Sequence, residues 1–260
     1  MKLPNIKLDL KSVGYVYEKG GDFNFENLSL RIPENTITSL IGKNGSGKTT
    51  LLLLMMGFLK PVTGEIYFYM EGKHIPIGNS AGKIAYLPQR EIVAKKYSID
   101  EFLLLGRTPF IKNISQPSNE DYLIIEEIKT KLGIKHLGAR KIIHLSGGEF
   151  QFVRIGRALA QNAEVILFDE PITHLDIGAK IKIFDLIKML KAQGKTILFS
   201  SHDPLEAFQI ADNSILIEKN KGVLFGATNE ILSDENLSLC LGTSVKYKSY
   251  KGQKFLFIGK

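Results

Sequence analysis

The sequence lacks most of the features that stabilise secreted proteins or carry a chain across a membrane. Cys240 is its only cysteine in 260 residues, so no internal disulfide can form, and no metal-ligand spacing surrounds it. The longest apolar run, residues 51–59, covers about nine positions, whereas a helix that spans a bilayer needs about 20. The first residues show no signal-peptide pattern. These absences predict a protein of the reducing cytoplasm without a membrane span.

Length and charge leave several classes of protein open. A chain of 260 residues can bury roughly 70 to 75 % of its unfolded surface, so a sizeable core is possible without metals. The 34 Lys and Arg exceed the 27 Asp and Glu, giving a formal charge of +7. This charge favours anionic partners, but nucleotides, nucleic acids and anionic lipid headgroups all qualify. We expect one folded domain over residues 1–260, with no repeats and no low-complexity tract.

A strand, a glycine-rich loop and a helix follow one another early in the chain. Residues 36–41 are typical of a buried strand, and residues 48–59 have the composition of a buried helix that ends near Pro61. A glycine-rich loop at such a junction lets backbone N–H groups wrap phosphates, and the helix N-terminus adds positive potential. The residues that match this P-loop pattern are Gly42, Lys43, Asn44, Gly45, Ser46, Gly47, Lys48 and Thr49, and Thr50 follows them.

The P-loop pattern assigns chemistry to its last two residues. Lys48 would reach the β- and γ-phosphates, and the hydroxyl of Thr49 would bind Mg²⁺. The alternative, a glycine-rich turn with a surface lysine, is weakened by the strand before the loop and the helix after it.

The rest of the chain predicts an α/β protein. Short strands are expected over residues 8–32, with a turn around residues 20–22. Apolar runs at residues 165–168 and 196–199 predict parallel strands covered on both faces, separated by a helix at about residues 178–190.

A helical segment interrupts this pattern. Capping-box signatures at Ser98 with Glu101 and at Ser118 with Asp121 predict helix starts. We therefore expect an inserted helical subdomain at about residues 95–160. Near the other end of the chain, residues 246–260 alternate like a last strand pair, within a β extension at about residues 220–260.

Two carboxylates follow the apolar run at residues 165–168. Asp169 and Glu170 would lie at the carboxyl end of a buried strand, where doubly wound sheets bind ligands. Asp169 could hold Mg²⁺ through water, and Glu170 could accept a proton from an attacking water molecule. Taken alone, the pair could also be a helix cap or a solvated turn.

A second glycine-containing helix start lies at Ser146, Gly147, Gly148 and Glu149. Ser146 and Glu149 satisfy a capping box, which explains the helix start and nothing more. The two glycines also expose the N-terminal amides of this helix, a geometry that recognises a phosphate group. The segment therefore predicts a second phosphate contact.

These motifs resemble those of the ABC transporter ATPase family, over nearly the whole chain and in the same order. The resemblance implies a P-loop NTPase core with a mainly parallel sheet, an N-terminal antiparallel β subdomain and an inserted α-helical subdomain. It also implies that two copies bind ATP and Mg²⁺ between them, as a homodimer. The implied site residues are the Walker A residues 42–49, the Q-loop Gln89, the signature Ser146 to Glu149, the Walker B residues 165–170, the D-loop Asp176, the switch His202, and Tyr17 as the aromatic that stacks on adenine.

Several of these single residues have simpler explanations. His202 could be a loop histidine before the helix start at Asp203 and Pro204. Gln89 could be any polar loop residue, although its place between the P-loop and the helical segment suits a residue that senses both Mg²⁺ and lobe rotation. Tyr17 competes with Tyr15 for adenine, and either ring could belong to the core.

The sequence also departs from the family pattern. Ile172 stands where a small polar residue is usual, and Phe150 and Phe152 replace polar residues common after the signature. None of these three changes a group that hydrolysis needs.

The helical segment points to a subfamily. Gly106, Arg107, Pro109 and Phe110 resemble an element of the ATPases of iron-siderophore, haem and cobalamin importers. By resemblance, this lobe would dock membrane permease subunits at the cytoplasmic face of the membrane, with an extracytoplasmic substrate-binding protein as an indirect partner. Gly106 and Pro109 could instead only end a helix. Other transporters of the family are the closest alternative, and a nucleic-acid-directed ATPase is not expected because no heptad tract is present.

Overall fold

The computed structural model describes residues 5–17, 24–91, 96–111, 116–138, 140–218, 222–250 and 253–258. The predicted α/β fold with a parallel core, an N-terminal antiparallel sheet and inserted helices is confirmed. The strands are β1 (Ile6–Val16), β2 (Asn24–Pro33), β3 (Ile37–Ile41), β4 (Thr63–Met70), β5 (Lys73–Pro76), β6 (Ile84–Leu87), β7 (Val165–Phe168), β8 (Thr196–Ser201), β9 (Asn213–Glu218), β10 (Gly222–Ala227), β11 (Val245–Tyr250) and β12 (Gln253–Ile258). The helices are α1 (Lys48–Met56), α2 (Ile99–Leu104), α3 (Asn119–Lys131), α4 (Gly147–Ala160), α5 (Ile177–Ala192), α6 (Pro204–Ile210), α7 (Thr228–Ile231) and α8 (Asp234–Leu241).

The main sheet has six strands in the order β10-β9-β3-β8-β7-β6. All neighbours are parallel except β10, which runs antiparallel to β9. Every residue of β3, β7 and β8 is buried, because helices and the second sheet cover both faces. This explains the apolar runs that predicted these strands.

The N-terminal sheet is antiparallel, in the order β2-β1-β4-β5. The predicted turn at residues 20–22 lies outside the described residues. β5 was not expected, because its four residues carry little strand pattern and end in Pro76. It pairs with β4 through a tight turn at Glu71 and Gly72, both with positive φ.

Helix α1 packs between the main sheet and the N-terminal sheet. Leu51, Leu52, Leu54 and Met55 are fully buried and join side chains of both sheets in one apolar cluster. The helix is shorter than predicted. It ends at Gly57, which takes a left-handed conformation and donates its N–H to the last turn, as glycine caps do.

The helical subdomain contains α2, α3 and α4 around a separate apolar cluster. Each of the three helices begins with a capping box, at Ser98, Ser118 and Ser146. All three helix starts therefore agree with the sequence signatures.

The C-terminal part contains both helices and strands, whereas the sequence predicts a β extension. β11 and β12 form the predicted antiparallel pair. Between β10 and this pair lie α7 and α8, and α8 starts where Ser233 caps the N–H of Asn236. The apolar spacing of Leu237 and Cys240, both buried, gives α8 its inner face.

No helix in the described ranges combines the length and the apolarity needed to cross a membrane.

Candidate nucleotide-binding site

The carboxyl ends of four neighbouring strands meet at one edge of the main sheet. β3 runs into the glycine-rich loop, and β6 is followed by Pro88 and Gln89. β7 is followed by Asp169 and Glu170, and β8 by His202. Ligands bind at this end of doubly wound sheets, so the topology brings the predicted residues that follow these four strands to one place.

Glycine makes the loop before α1 possible. Gly45 and Gly47 have φ values of +75° and +103°, a region where a Cβ is strained. A Cβ on Gly42 would lie 2.8 Å from the carbonyl oxygen of Ile217. Gly47 precedes α1 without a side-chain cap, so the N–H groups of the first turn can bind an anion.

Lys48 folds back over this loop. Its Nζ donates to the carbonyl oxygens of Gly42 (2.8 Å) and Lys43 (3.2 Å) and lies 3.8 Å from Oε1 of Glu170. Burial lowers the pKa of the Lys48 amine, while the charges of Glu170 and Asp169 oppose that shift. Ser46, within the loop, is buried, and its backbone N–H donates to the carbonyl of Lys43.

Asp169 is almost fully buried, and three hydroxyl groups surround its carboxylate. Oδ2 accepts from Thr49 Oγ1 at 2.7 Å and from the Tyr86 hydroxyl at 3.3 Å, while Oδ1 accepts from Ser200 Oγ at 2.5 Å. Burial, and then the nearby charge of Asp169, raises the pKa of Tyr86 far above its usual range. The phenol therefore remains a hydrogen-bond donor.

Glu170 has an unusual backbone and several partners. Its φ is +50°, and its backbone N–H donates to Ser200 Oγ at 2.9 Å. Oε2 accepts from Gln89 Nε2 at 2.8 Å and from Thr173 Oγ1 at 3.2 Å, and it lies 3.9 Å from His202 Nδ1. A left-handed conformation is costly for a residue with a side chain, so it persists only where the surroundings stabilise it. Here the backbone contact with Ser200 stabilises it, and the side-chain contacts fix the direction of the carboxylate.

A cavity of about 410 Å³ lies between these groups. Tyr17 is half-exposed at its edge, and its hydroxyl lies 3.0 Å from Thr50 Oγ1. Tyr15 instead packs against the large apolar cluster, edge-on to Tyr17. The cavity is lined by Asn44, Gly45, Gly47, Lys48, Thr49 and Thr50 of the loop and α1, and by Tyr17, Gln89 and Glu170.

The second predicted phosphate contact lies elsewhere. None of Ser146, Gly147, Gly148 and Glu149 lines that cavity, and a Cβ on either glycine would meet open space. Glu149 accepts from the backbone N–H of Ser146 at 2.7 Å, and this bond lowers the pKa of its carboxyl. Asp176 is exposed at the N-cap of α5, where it accepts from Ala179 N.

Sequence reasoning missed three side chains of the site. Ser200 joins Asp169 and Glu170, Tyr86 donates to Asp169, and Thr173 supports Glu170. For Ser200, the hint was a serine directly after the apolar run of residues 196–199, at the end of a strand beside β7.

The departures from the family pattern fill apolar cores. Ile172 is buried in the cluster around the parallel sheet. Phe150 packs on Phe102, with ring centroids 6.0 Å apart. Phe152 packs against both the cluster around the parallel sheet and the cluster of the helical subdomain.

The fold and the loop together define a P-loop nucleoside triphosphatase. Residues 25–173 match the family described as ABC transporter. The chain belongs to the ATP-binding proteins of this family and is an ATP hydrolase coupled to transport.

Relatives cover most of the chain. Molybdate import ATP-binding protein MolC of Haemophilus influenzae is 32% identical over 90% of this chain and 87% of its own length. Chelated iron transport system membrane protein YfeB of Yersinia pestis is 32% identical over 96% of this chain and 83% of its own. Among solved structures, an inward-facing metal-chelate type ABC transporter matches with a TM-score of 0.86 and 29% identity, covering 98% of this chain and 97% of that one.

Proposed function

We propose that two copies of this chain form the ATP-driven motor of a metal-chelate importer, bound to separate permease subunits at the cytoplasmic face of the membrane. One observation carries the two-copy arrangement. The glycines at the start of α4 face solvent, while the loop before α1 lines a different cavity. One chain thus has two half-sites for phosphate, and a second copy would complete each.

In the closed dimer, ATP would lie between the loop of one copy and Ser146 to Gly148 of the other. The N-terminal amides of α4 favour negative charge, so the γ-phosphate would bind both copies together. Hydrolysis removes these contacts and with them the differential affinity for the closed state. The dimer would then reopen.

Glu170 is proposed as the general base. Glu170 lines the cavity, and Gln89 and Thr173 orient its Oε2, so the carboxylate can accept a proton from a water molecule that attacks the γ-phosphate. For His202, whose Nδ1 lies 3.9 Å from the same oxygen, we propose a hydrogen bond to the γ-phosphate. Lys48 would exchange its two carbonyl partners for phosphate oxygens.

The residues around Asp169 fit Mg²⁺. Thr49, Asp169 and Gln89 offer oxygen ligands, which this hard cation prefers. Within the described ranges no group of three or more His, Cys, Asp or Glu side chains could hold a metal, so nucleotide phosphates and water would complete the ligand set. Bound Mg²⁺ neutralises charge that develops on the phosphates.

Tyr17 is the proposed platform for adenine. It is the exposed tyrosine of the pair and borders the cavity, whereas Tyr15 packs into the core. An exposed ring face can stack on a base.

A groove between the core and the helical subdomain suits the permease. Its volume is about 360 Å³, and it is lined by the exposed apolar side chains of Phe58 and Leu105 together with Pro109. Glu91 and Arg157 lie in the same groove. An apolar floor with charges beside it matches the binding mode in which an amphipathic helix lies in a groove.

The subfamily element shapes one wall of this groove. Arg107 donates to Asp121 at 2.8 Å and to Ala160 O at 2.9 Å, and its guanidinium stacks 4.3 Å from the Phe110 ring. This structure, with the metal-chelate transporter as structural neighbour and a chelated-iron relative, supports import of a metal chelate. A molybdate relative makes an importer of another substrate the main alternative.

Replacement of Glu170 by Gln tests the motor. Glu170→Gln keeps the shape of the side chain and removes the base, so phosphate release should stop while a dimer accumulates in Mg-ATP. Size-exclusion chromatography and a phosphate assay on the same samples measure both. Asp185→Asn, an exposed carboxylate on α5, is the matched control and should behave like the parent. A Glu170→Gln protein that stays monomeric and hydrolyses ATP like the parent contradicts the proposal.

A further inference from the structure

Glu91, two residues after Gln89, is held by two arginines of α4. Its Oε1 lies 2.5 Å from Arg157 Nη1, and its Oε2 lies 3.4 Å from Arg154 Nε. The side chains of Glu91 and Arg154 are only 14% and 9% exposed. Water and salt screen such a cluster weakly, and loss of one partner leaves a buried charge unpaired.

Arg154 extends this cluster in two directions. One Nη donates to the carbonyl of Pro88, directly before Gln89. The other donates to Gln151 Oε1 at 2.7 Å, and Gln151 Nε2 donates to the carbonyl of Pro171 at 2.6 Å.

Both directions end at the proposed base. Along the first, Gln89 donates to Glu170 Oε2 at 2.8 Å. Along the second, Pro171 is the residue that follows Glu170. The ion cluster therefore connects α4, the long helix of the helical subdomain, to the side chain of Glu170 and to its backbone.

The opposite end of the cluster lies at the surface. Glu91 and Arg157 line the groove proposed for the permease. Arg157 also lies over the Phe102 ring, 5.3 Å from its centroid, which anchors it in the core of the subdomain. A movement of the subdomain relative to the core would displace both arginines and, through Glu91, the Gln89 segment.

We propose that Glu91 is a positioning residue: with Arg154 and Arg157 it transmits the orientation of the helical subdomain to Gln89 and Glu170. This inference rests on the proposed function, because it assumes that Glu170 acts on ATP. Glu91 does not line the nucleotide cavity, so it acts through its neighbours. Its carboxylate is needed because a neutral amide has no charge and offers only one acceptor oxygen, whereas each arginine faces a different oxygen of Glu91.

The test uses the purified full chain with Mg-ATP. Glu91→Gln should lower kcat and kcat/KM together, by about 2- to 30-fold, the range measured for residues that couple distant sites. KM for ATP should stay within about twofold, since uniform binding is unchanged. Gln89→Ala and the double variant complete a cycle, in which the two losses should be clearly less than multiplicative.

Glu164→Gln is the matched control. Glu164 pairs with Lys7 at 2.5 Å and directly precedes β7, at the opposite end of this strand from the proposed base. Its loss should change the melting temperature but not kcat. Three results overturn the inference: an unchanged kcat in Glu91→Gln, a kcat loss that comes with a rise in KM and a fall in melting temperature, or strictly multiplicative losses in the cycle. If the parent chain itself hydrolyses no Mg-ATP, the proposed function fails instead.

Discussion

The hydroxyl of Thr49 donates to the carboxylate of Asp169 over 2.7 Å. This bond joins the first turn of α1 to the end of β7, and both residues are among the three proposed to bind Mg²⁺.

Asp169→Asn should remove the charge while keeping most of the hydrogen bonds. We expect ATP affinity in the presence of Mg²⁺ to fall by at least about tenfold, or 1.4 kcal/mol, and affinity without Mg²⁺ to change little. Titration of a fluorescent ATP analogue with and without Mg²⁺ measures both. An Asp169→Asn protein that keeps the full Mg²⁺ effect would exclude this residue from the site.

Tyr17→Ala should weaken ATP binding by about 2- to 12-fold, because an aromatic stacking contact contributes about 0.5–1.5 kcal/mol. Tyr17→Phe should bind normally, since the hydroxyl contacts Thr50 and not the base. Tyr15→Ala should lower the melting temperature and leave the affinity for ATP nearly unchanged. Equal losses of affinity at both positions would argue against Tyr17 as the platform.

Ser146→Ala and Ser118→Ala both remove the N-cap of a capping box. Each should cost about 0.5–2 kcal/mol of stability, measured by urea unfolding. Only Ser146→Ala should also reduce ATP hydrolysis and the nucleotide-dependent dimer, since only its helix start is proposed to bind phosphate. Equal activity of the two variants would show that Ser146 is a helix cap and nothing more.

Gly106→Ala should destabilise the helical subdomain. A Cβ there would lie 2.1 Å from the carbonyl oxygen of Arg157 and 2.9 Å from the Cβ of Ala160, and such overpacking costs about 1–3 kcal/mol. Gly78→Ala, where a Cβ meets nothing within 4 Å, should be nearly neutral. Urea midpoints of the two variants test this, and a neutral Gly106→Ala would mean that the contact relaxes freely.

Asp121 should make stability depend on pH. The hydrogen bond from Arg107, then the hydroxyl and backbone N–H of Ser118, lower the pKa of its carboxyl. A lowered pKa stabilises the folded state above the ordinary Asp value of about 3.9, and the effect is lost as the pH falls through the lowered value. Asp121→Asn should therefore be less stable than the parent at pH 7, with a difference that shrinks below about pH 4. A pH-independent difference in unfolding free energy would contradict this.

Patterns within short segments were sufficient to predict much of the molecule. The phosphate loop at Gly42–Thr49 depends on glycine conformation and on one lysine, and both are visible in eight consecutive residues. The buried strands β7 and β8 are continuous apolar runs, and the helix starts at Ser98, Ser118 and Ser146 depend on contacts three residues apart. Such features follow from local sequence because the interacting atoms are near one another in the chain.

Other features required the folded chain, because they join distant segments. Tyr15 and Tyr17 share one alternation pattern, and they separate because β1 ends at Val16 and frees Tyr17 from the sheet. Ser200 reaches Asp169 because β7 and β8 are parallel neighbours. Glu91 meets Arg154 across 63 positions, a pairing that depends on how the helical subdomain packs on the core. No short-range pattern encodes such a contact, since only the packing of whole elements brings the two charges together.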